Sequence, residues 1–157
     1  MAQGRGGGGD LCYTRAVKLD QVLIPVDLSE PSRRALAEAA SLTTGRGSKL
    51  TILHAHPIQQ VVLLDFSYVE PPEKIVAYRE AAVRTIESWC KELGLGRDRA
   101  QIQVETSEPV DTIIRLSAHH DLVVMGTHGR TGLDHFMLGS VAERVVRGAK
   151  CSVLIVR

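Results

Sequence analysis

Aromatic residues make up only 4% of this 157-residue chain. That scarcity argues against a nucleic-acid surface built on base stacking. Charge of one sign is also missing: 19 basic residues against 18 acidic leave a formal net charge of +1, so no bulk field draws the chain to nucleic acid. No apolar run reaches the length of a membrane span. Cysteine is sparse, and Cys12, Cys90 and Cys151 form no CxxC pair. Scattered thiols in odd number read as reduced cysteines of a cytoplasmic protein, not as a disulfide framework. The N-terminus carries glycines where a signal peptide needs an apolar stretch, so export is not expected. The length suits one domain with a normal core.

What is present is an alternation of two hydrophobic periods. Residues 1–18 are glycine-rich and aperiodic, a flexible tail outside the fold, and 19–157 form the domain. Gln21 to Val26 is a continuous apolar run, the mark of a buried strand. Ser29-Glu30-Pro31 then signals a helix start, and an alanine-rich helix runs to Gly45. Lys49 to Ala55 is a second strand. Glu73 to Leu93 is a long amphipathic helix with Ile75, Ala82, Ile86 and Trp89 on one side. Gln101 to Glu105 alternates, as an outer strand does, and Ser107-Glu108-Pro109 repeats the helix-start signal. Asp121 to Met125 is a fourth strand, Val141 to Ala149 a helix, and Cys151 to Val156 a fifth strand. Five strands alternating with four helices specify a parallel α/β sheet with right-handed crossovers. His56 to Pro72 is too apolar for a solvated loop. It reads either as a short helix or hairpin covering its own core, or as a lid or a patch for a protein partner.

The chemistry concentrates between the fourth strand and the last helix. Gly126, Gly129, Gly139 and Ser140 fill a G-x2-G-x9-G-S pattern in the stretch GTHGRTGLDHFMLGS. Glycines at a strand exit and a helix entrance suit an anion site, because the backbone can approach a phosphate and the helix end offers free N–H donors. The spacing fits neither a Walker A loop nor a dinucleotide fingerprint. Ser140 with Glu143 also reads as a capping box that needs no ligand. Arg130 inside the loop is either a phosphate donor or a solvated side chain. Asp27, at a strand end before a helix, either closes an Asx-type turn on Ser29 or accepts hydrogen bonds from a ligand. His54 and His56 lie two apart on a strand, a possible metal pair without a third ligand in view. His119 and His120 sit at a helix end, His128 and His135 flank the loop, and Cys90 and Cys151 read as small apolar fillers.

The glycine pattern closely resembles the nucleotide loop of the universal stress protein family. VLIPVDLSEPS at 22–32, TILHAH at 51–56 and CSVLIV at 151–156 resemble its first, second and last strands, so the resemblance spans about 19–157. It implies a Rossmann-like sandwich of the adenine nucleotide alpha hydrolase kind, with strand order 3-2-1-4-5 and helices on both faces. The order then reverses between strands 1 and 4, and ligands bind beyond the ends of such strands, here Pro25-Val26-Asp27 and Met125-Gly126. By the same resemblance Gly126, Gly129, Gly139, Ser140 and Val141 hold phosphates or ribose. Pro25 and the backbone of Ala55 flank adenine, Asp27 meets ribose hydroxyls or the adenine edge, and Met125 lines the pocket.

The expected function is therefore that of a cytoplasmic module that binds ATP, ADP or AMP for stress response or signalling. Mg²⁺ or Mn²⁺ would enter with the phosphates and not on protein ligands. The strand at 151–156 ends the chain as an apolar edge, and pairing it with a second copy gives a closed homodimer, as the resemblance also implies. The alternative is a dimeric stress scaffold acting through protein contacts without nucleotide. No lysine, second carboxylate or nucleophile joins the loop, so no enzymatic activity is expected, although slow ATP hydrolysis stays open.

Overall fold

The structure, a computed structural model, describes residues 18–58, 60–63, 66–127 and 138–157. Its frame is a parallel sheet of β1 (Gln21–Pro25), β2 (Lys49–Ala55), β5 (Ala100–Glu105), β6 (Leu122–Gly126) and β7 (Ser152–Val156). These lie in the order β5-β2-β1-β6-β7. A separate antiparallel hairpin, β3 (Gln60–Leu63) with β4 (Phe66–Val69), interrupts the numbering. Without it the sheet reads 3-2-1-4-5, the order expected. The four helices are α1 (Glu30–Leu42), α2 (Pro72–Glu92), α3 (Pro109–Ser117) and α4 (Ser140–Gly148).

Strand alternation sorts the core into two layers. Val22, Ile24, Leu50, Ile52 and Val124 face α1 and α2, packing on Ala35, Leu36, Ala39 and Ile86. Leu23, Leu53, Val123 and Met125 face α3 and α4, packing on Ile113, Ala142 and Val145. Both faces of β1 are covered, which is why it reads as an unbroken apolar run. The small alanine face of α1 lets that helix lie close to the sheet, and Cys90 on α2 is buried as a filler in the same layer.

The helix starts divide into two kinds. Ser29 caps α1 as its sequence suggests, its side chain accepting from the Ser32 amide. Ser107 does not cap α3: Glu108 holds the N-cap position without a side-chain cap, and Ser107 Oγ pairs with Thr112 Oγ1 at 2.8 Å instead. Likewise Ser140 is not the first member of a capping box. Gly139 is the N-cap of α4, with no side-chain cap, and Ser140 is the first helical residue. Between 56 and 72 the structure forms a hairpin, one of the two forms expected for that apolar stretch. The expected tail, residues 1–18, falls almost wholly outside the described residues. No described helix is long and apolar enough to cross a membrane.

Candidate functional site

A cavity of about 310 Å³ opens where β1 and β6 end, at the point where the strand order reverses. Pro25, Val26, Asp27, Ala55, Met125, Gly126, Gly139, Ser140 and Val141, all singled out from the sequence, line it together. Gly129 and Arg130 lie outside the described residues, as do His128 and His135. Sequence reasoning missed Leu53, Pro109, Ile113 and Ala142, which form the apolar floor and wall from β2, α3 and α4. They lie in elements the sequence predicts, and only packing shows that these positions border open space.

Two kinds of polar group line the cavity. The first is the start of α4. Its first intrahelical bond runs from Glu143 N to Gly139 O at 2.9 Å. The amides of Ser140, Val141 and Ala142 therefore have no acceptor within the helix, and they carry the positive end of its dipole. Gly139 N is spent elsewhere, donating to Thr127 O at 2.8 Å, so the chain closes on itself at the base of the 128–138 stretch. Thr127 N in turn donates to Val156 O at 3.0 Å, which ties this base to the last strand.

The second is Asp27, the only ionisable side chain among the described lining residues. Its Oδ1 accepts from Ser29 N at 3.1 Å and from Ser29 Oγ at 2.5 Å. The Asx-type turn thus exists, and it coexists with a place on the cavity wall. Leu28, between the two, sits at φ 66°, a left-handed conformation that a leucine adopts only under constraint.

Gly126 has a reason for being glycine that the sequence did not disclose. A Cβ there would lie 3.0 Å from Pro31 O and 3.1 Å from Pro31 C, in the first turn of α1. Close approach of β6 to α1 is what the described backbone requires of it. The histidine pair is also accounted for by its neighbours. His54 is 3% exposed, with Nδ1 2.7 Å from Val26 O and Nε2 3.0 Å from Tyr78 Oη. His56 stacks on Tyr78 with ring centroids 4.2 Å apart, and its Nε2 lies 3.8 Å from Glu70 Oε2. Among the described residues no group of three or more His, Cys, Asp or Glu is placed to hold a metal ion.

The model of the universal stress protein family matches residues 18–157. The chain belongs to the universal stress protein family. A universal stress protein of Methanocaldococcus jannaschii is 29% identical over 143 residues, covering 87% of this chain and 81% of that one. Among solved structures, the universal stress protein UspA from Lactobacillus plantarum superposes with a TM-score of 0.73 at 22% identity. It covers 89% of this chain and 99% of its own, and it shows the shared fold. Another universal stress protein, solved in complex with cAMP, has a TM-score of 0.63 at 26% identity, covering 88% of this chain and 97% of that one.

Proposed function

We propose that this universal stress protein binds an adenine nucleotide in the Asp27 cavity and acts as a homodimeric stress-response or signalling module in the cytoplasm. The observation that carries the reading is the placement of donors and acceptors. Amides at the start of α4 without an acceptor inside the helix suit a phosphate, and the Asp27 carboxylate on the same cavity wall suits hydroxyl or amino donors. The apolar lining suits the face of a base. A nucleoside phosphate carries groups that match all three features. The relative solved with cAMP supports the same ligand class.

Mg²⁺ or Mn²⁺ would enter on the phosphates, since Asp27 alone among the described lining residues offers a charged oxygen. With one carboxylate among the described lining residues, and that one engaged by Ser29, the cavity is read as a binding site without phosphate chemistry. The homodimer reading rests on β7, which ends the sheet with no described strand on its outer edge. An apolar edge of that kind is stabilised by pairing with a second copy.

Calorimetry on protein shown to be free of bound ligand tests the nucleotide reading, with ATP, ADP, AMP and cAMP each titrated with and without Mg²⁺. Heat with at least one of them at micromolar to millimolar affinity is expected. No heat with any would overturn it and leave the scaffold reading. Sedimentation at micromolar concentration tests the dimer, which a stable monomer refutes.

A further inference from the structure

Val26 and Asp27 are held from both faces of the sheet. Leu53 and Ala55 of β2 point to the cavity side, so His54 between them points to the opposite layer, under α1 and α2. There its Nδ1 reaches the carbonyl of Val26, just beyond the end of the β1–β2 ladder at Pro25 and Leu53. A carbonyl only accepts, so Nδ1 carries the proton. In the neutral ring Nε2 is then the acceptor, and the hydroxyl of Tyr78 on α2 donates to it. The order of donation runs Tyr78 to His54 to Val26, ending one residue from the cavity carboxylate.

That carbonyl matters because the corner it belongs to is strained. Leu28 at φ 66° costs energy and persists only if its neighbours over-determine it. Val26 N donates to Leu53 O of β2 at 2.8 Å through the main chain, and Asp27 accepts from Ser29 as a local tie. The bond from His54 is the buried side-chain tie that reaches the corner from another strand.

We propose that His54 is a positioning residue of the nucleotide cavity: its Nδ1–H holds the Val26–Asp27–Leu28 corner in the binding geometry, with Tyr78 fixing the ring from α2. The binding half of this inference rests on the nucleotide reading above, whereas the positioning half stands on the corner itself. The full chain is compared as wild type, His54→Asn, His54→Gln and Tyr78→Phe. Asparagine places its amide nitrogen near the position of Nδ1, and glutamine near that of Nε2. In nucleotide-free protein, hydrogen exchange at the Asp27, Leu28 and Ser29 amides should quicken in His54→Gln and stay near wild type in His54→Asn. Affinity for the nucleotide found by calorimetry should fall about tenfold in His54→Gln, as expected for loss of a buried hydrogen bond, and little in His54→Asn.

A role in packing alone predicts the reverse order, because asparagine leaves the larger void. The reverse order, or equal effects, therefore overturns the proposal, as does unchanged exchange in His54→Gln. If His54→Gln does not fold, Tyr78→Phe carries the test: it removes one hydroxyl and should weaken binding about threefold, and an unchanged affinity overturns the inference. A wild type that binds no nucleotide, with the exchange order as expected, refutes the nucleotide reading and leaves the positioning role standing.

Discussion

Gly126→Ala separates two explanations of the same glycine. If Gly126 exists to admit a phosphate, alanine should reduce affinity and leave the nucleotide-free protein as stable as before. The structure places the added methyl 3.0 Å from Pro31 O, 3.1 Å from Pro31 C and 3.2 Å from Pro31 Cβ. Two of these are main-chain atoms in the first turn of α1, next to the Ser29 cap, and no rotamer change can move them. Overpacking of this kind costs about 1–3 kcal/mol. Against it, replacing glycine lowers the entropy of the unfolded chain, a gain of about 0.4–1 kcal/mol. The clash wins, so a net loss of about 1–2 kcal/mol is expected. In a domain of this size each kcal/mol lowers the melting temperature by about 2–4 °C. Urea and thermal unfolding of nucleotide-free wild type and Gly126→Ala provide the assay. An alanine variant as stable as wild type would refute the packing argument and return Gly126 to the phosphate.

Asp27→Ala removes both bonds to Ser29 and should cost about 1 kcal/mol of stability, whereas Asp27→Asn keeps an acceptor at Oδ1 and should unfold near wild type. Equal urea midpoints for the two variants would show that the turn contributes nothing. Ser29→Ala strips the cap of α1 and should cost about 1 kcal/mol in the same assay, and an unchanged midpoint would refute the cap. Burial, and secondarily the charge of Glu87, raises the Cys90 thiol above its ordinary 9.0. A raised folded value means that the stability it contributes is complete below pH 9.0 and is lost as pH climbs through the folded value. Wild type should therefore lose more stability between about pH 8 and pH 10 than Cys90→Ala does, and equal losses would refute the burial argument.

The layered sheet was legible because its signals are local. The apolar run at 21–26, the alanine face of α1 and the edge alternation at 101–105 each follow from the period of a single element. Those elements in that order leave few topologies, and the family resemblance selected the strand order among them. The glycine pattern and Asp27 were legible for the same reason, being marks on strand exits and a helix entrance. Element caps were less so: Ser107 and Ser140 carry the residue type of a cap, but Glu108 and Gly139 occupy the cap positions. Which residue turns out of a helix depends on how the chain leaves the preceding strand.

Tertiary structure alone decided the rest, because it depends on distances between residues far apart in sequence. Gly126 meets Pro31, and His54 meets both Val26 and Tyr78. No period in the sequence encodes such meetings. The apolar residues Leu53 and Ile113 carry the same signal whether they face another side chain or a cavity, since burial removes either kind from water. Sequence determined which elements form and which of their ends hold polar groups. Folding determined which ends converge, and so brought the start of α4 and the carboxylate of Asp27 to one cavity.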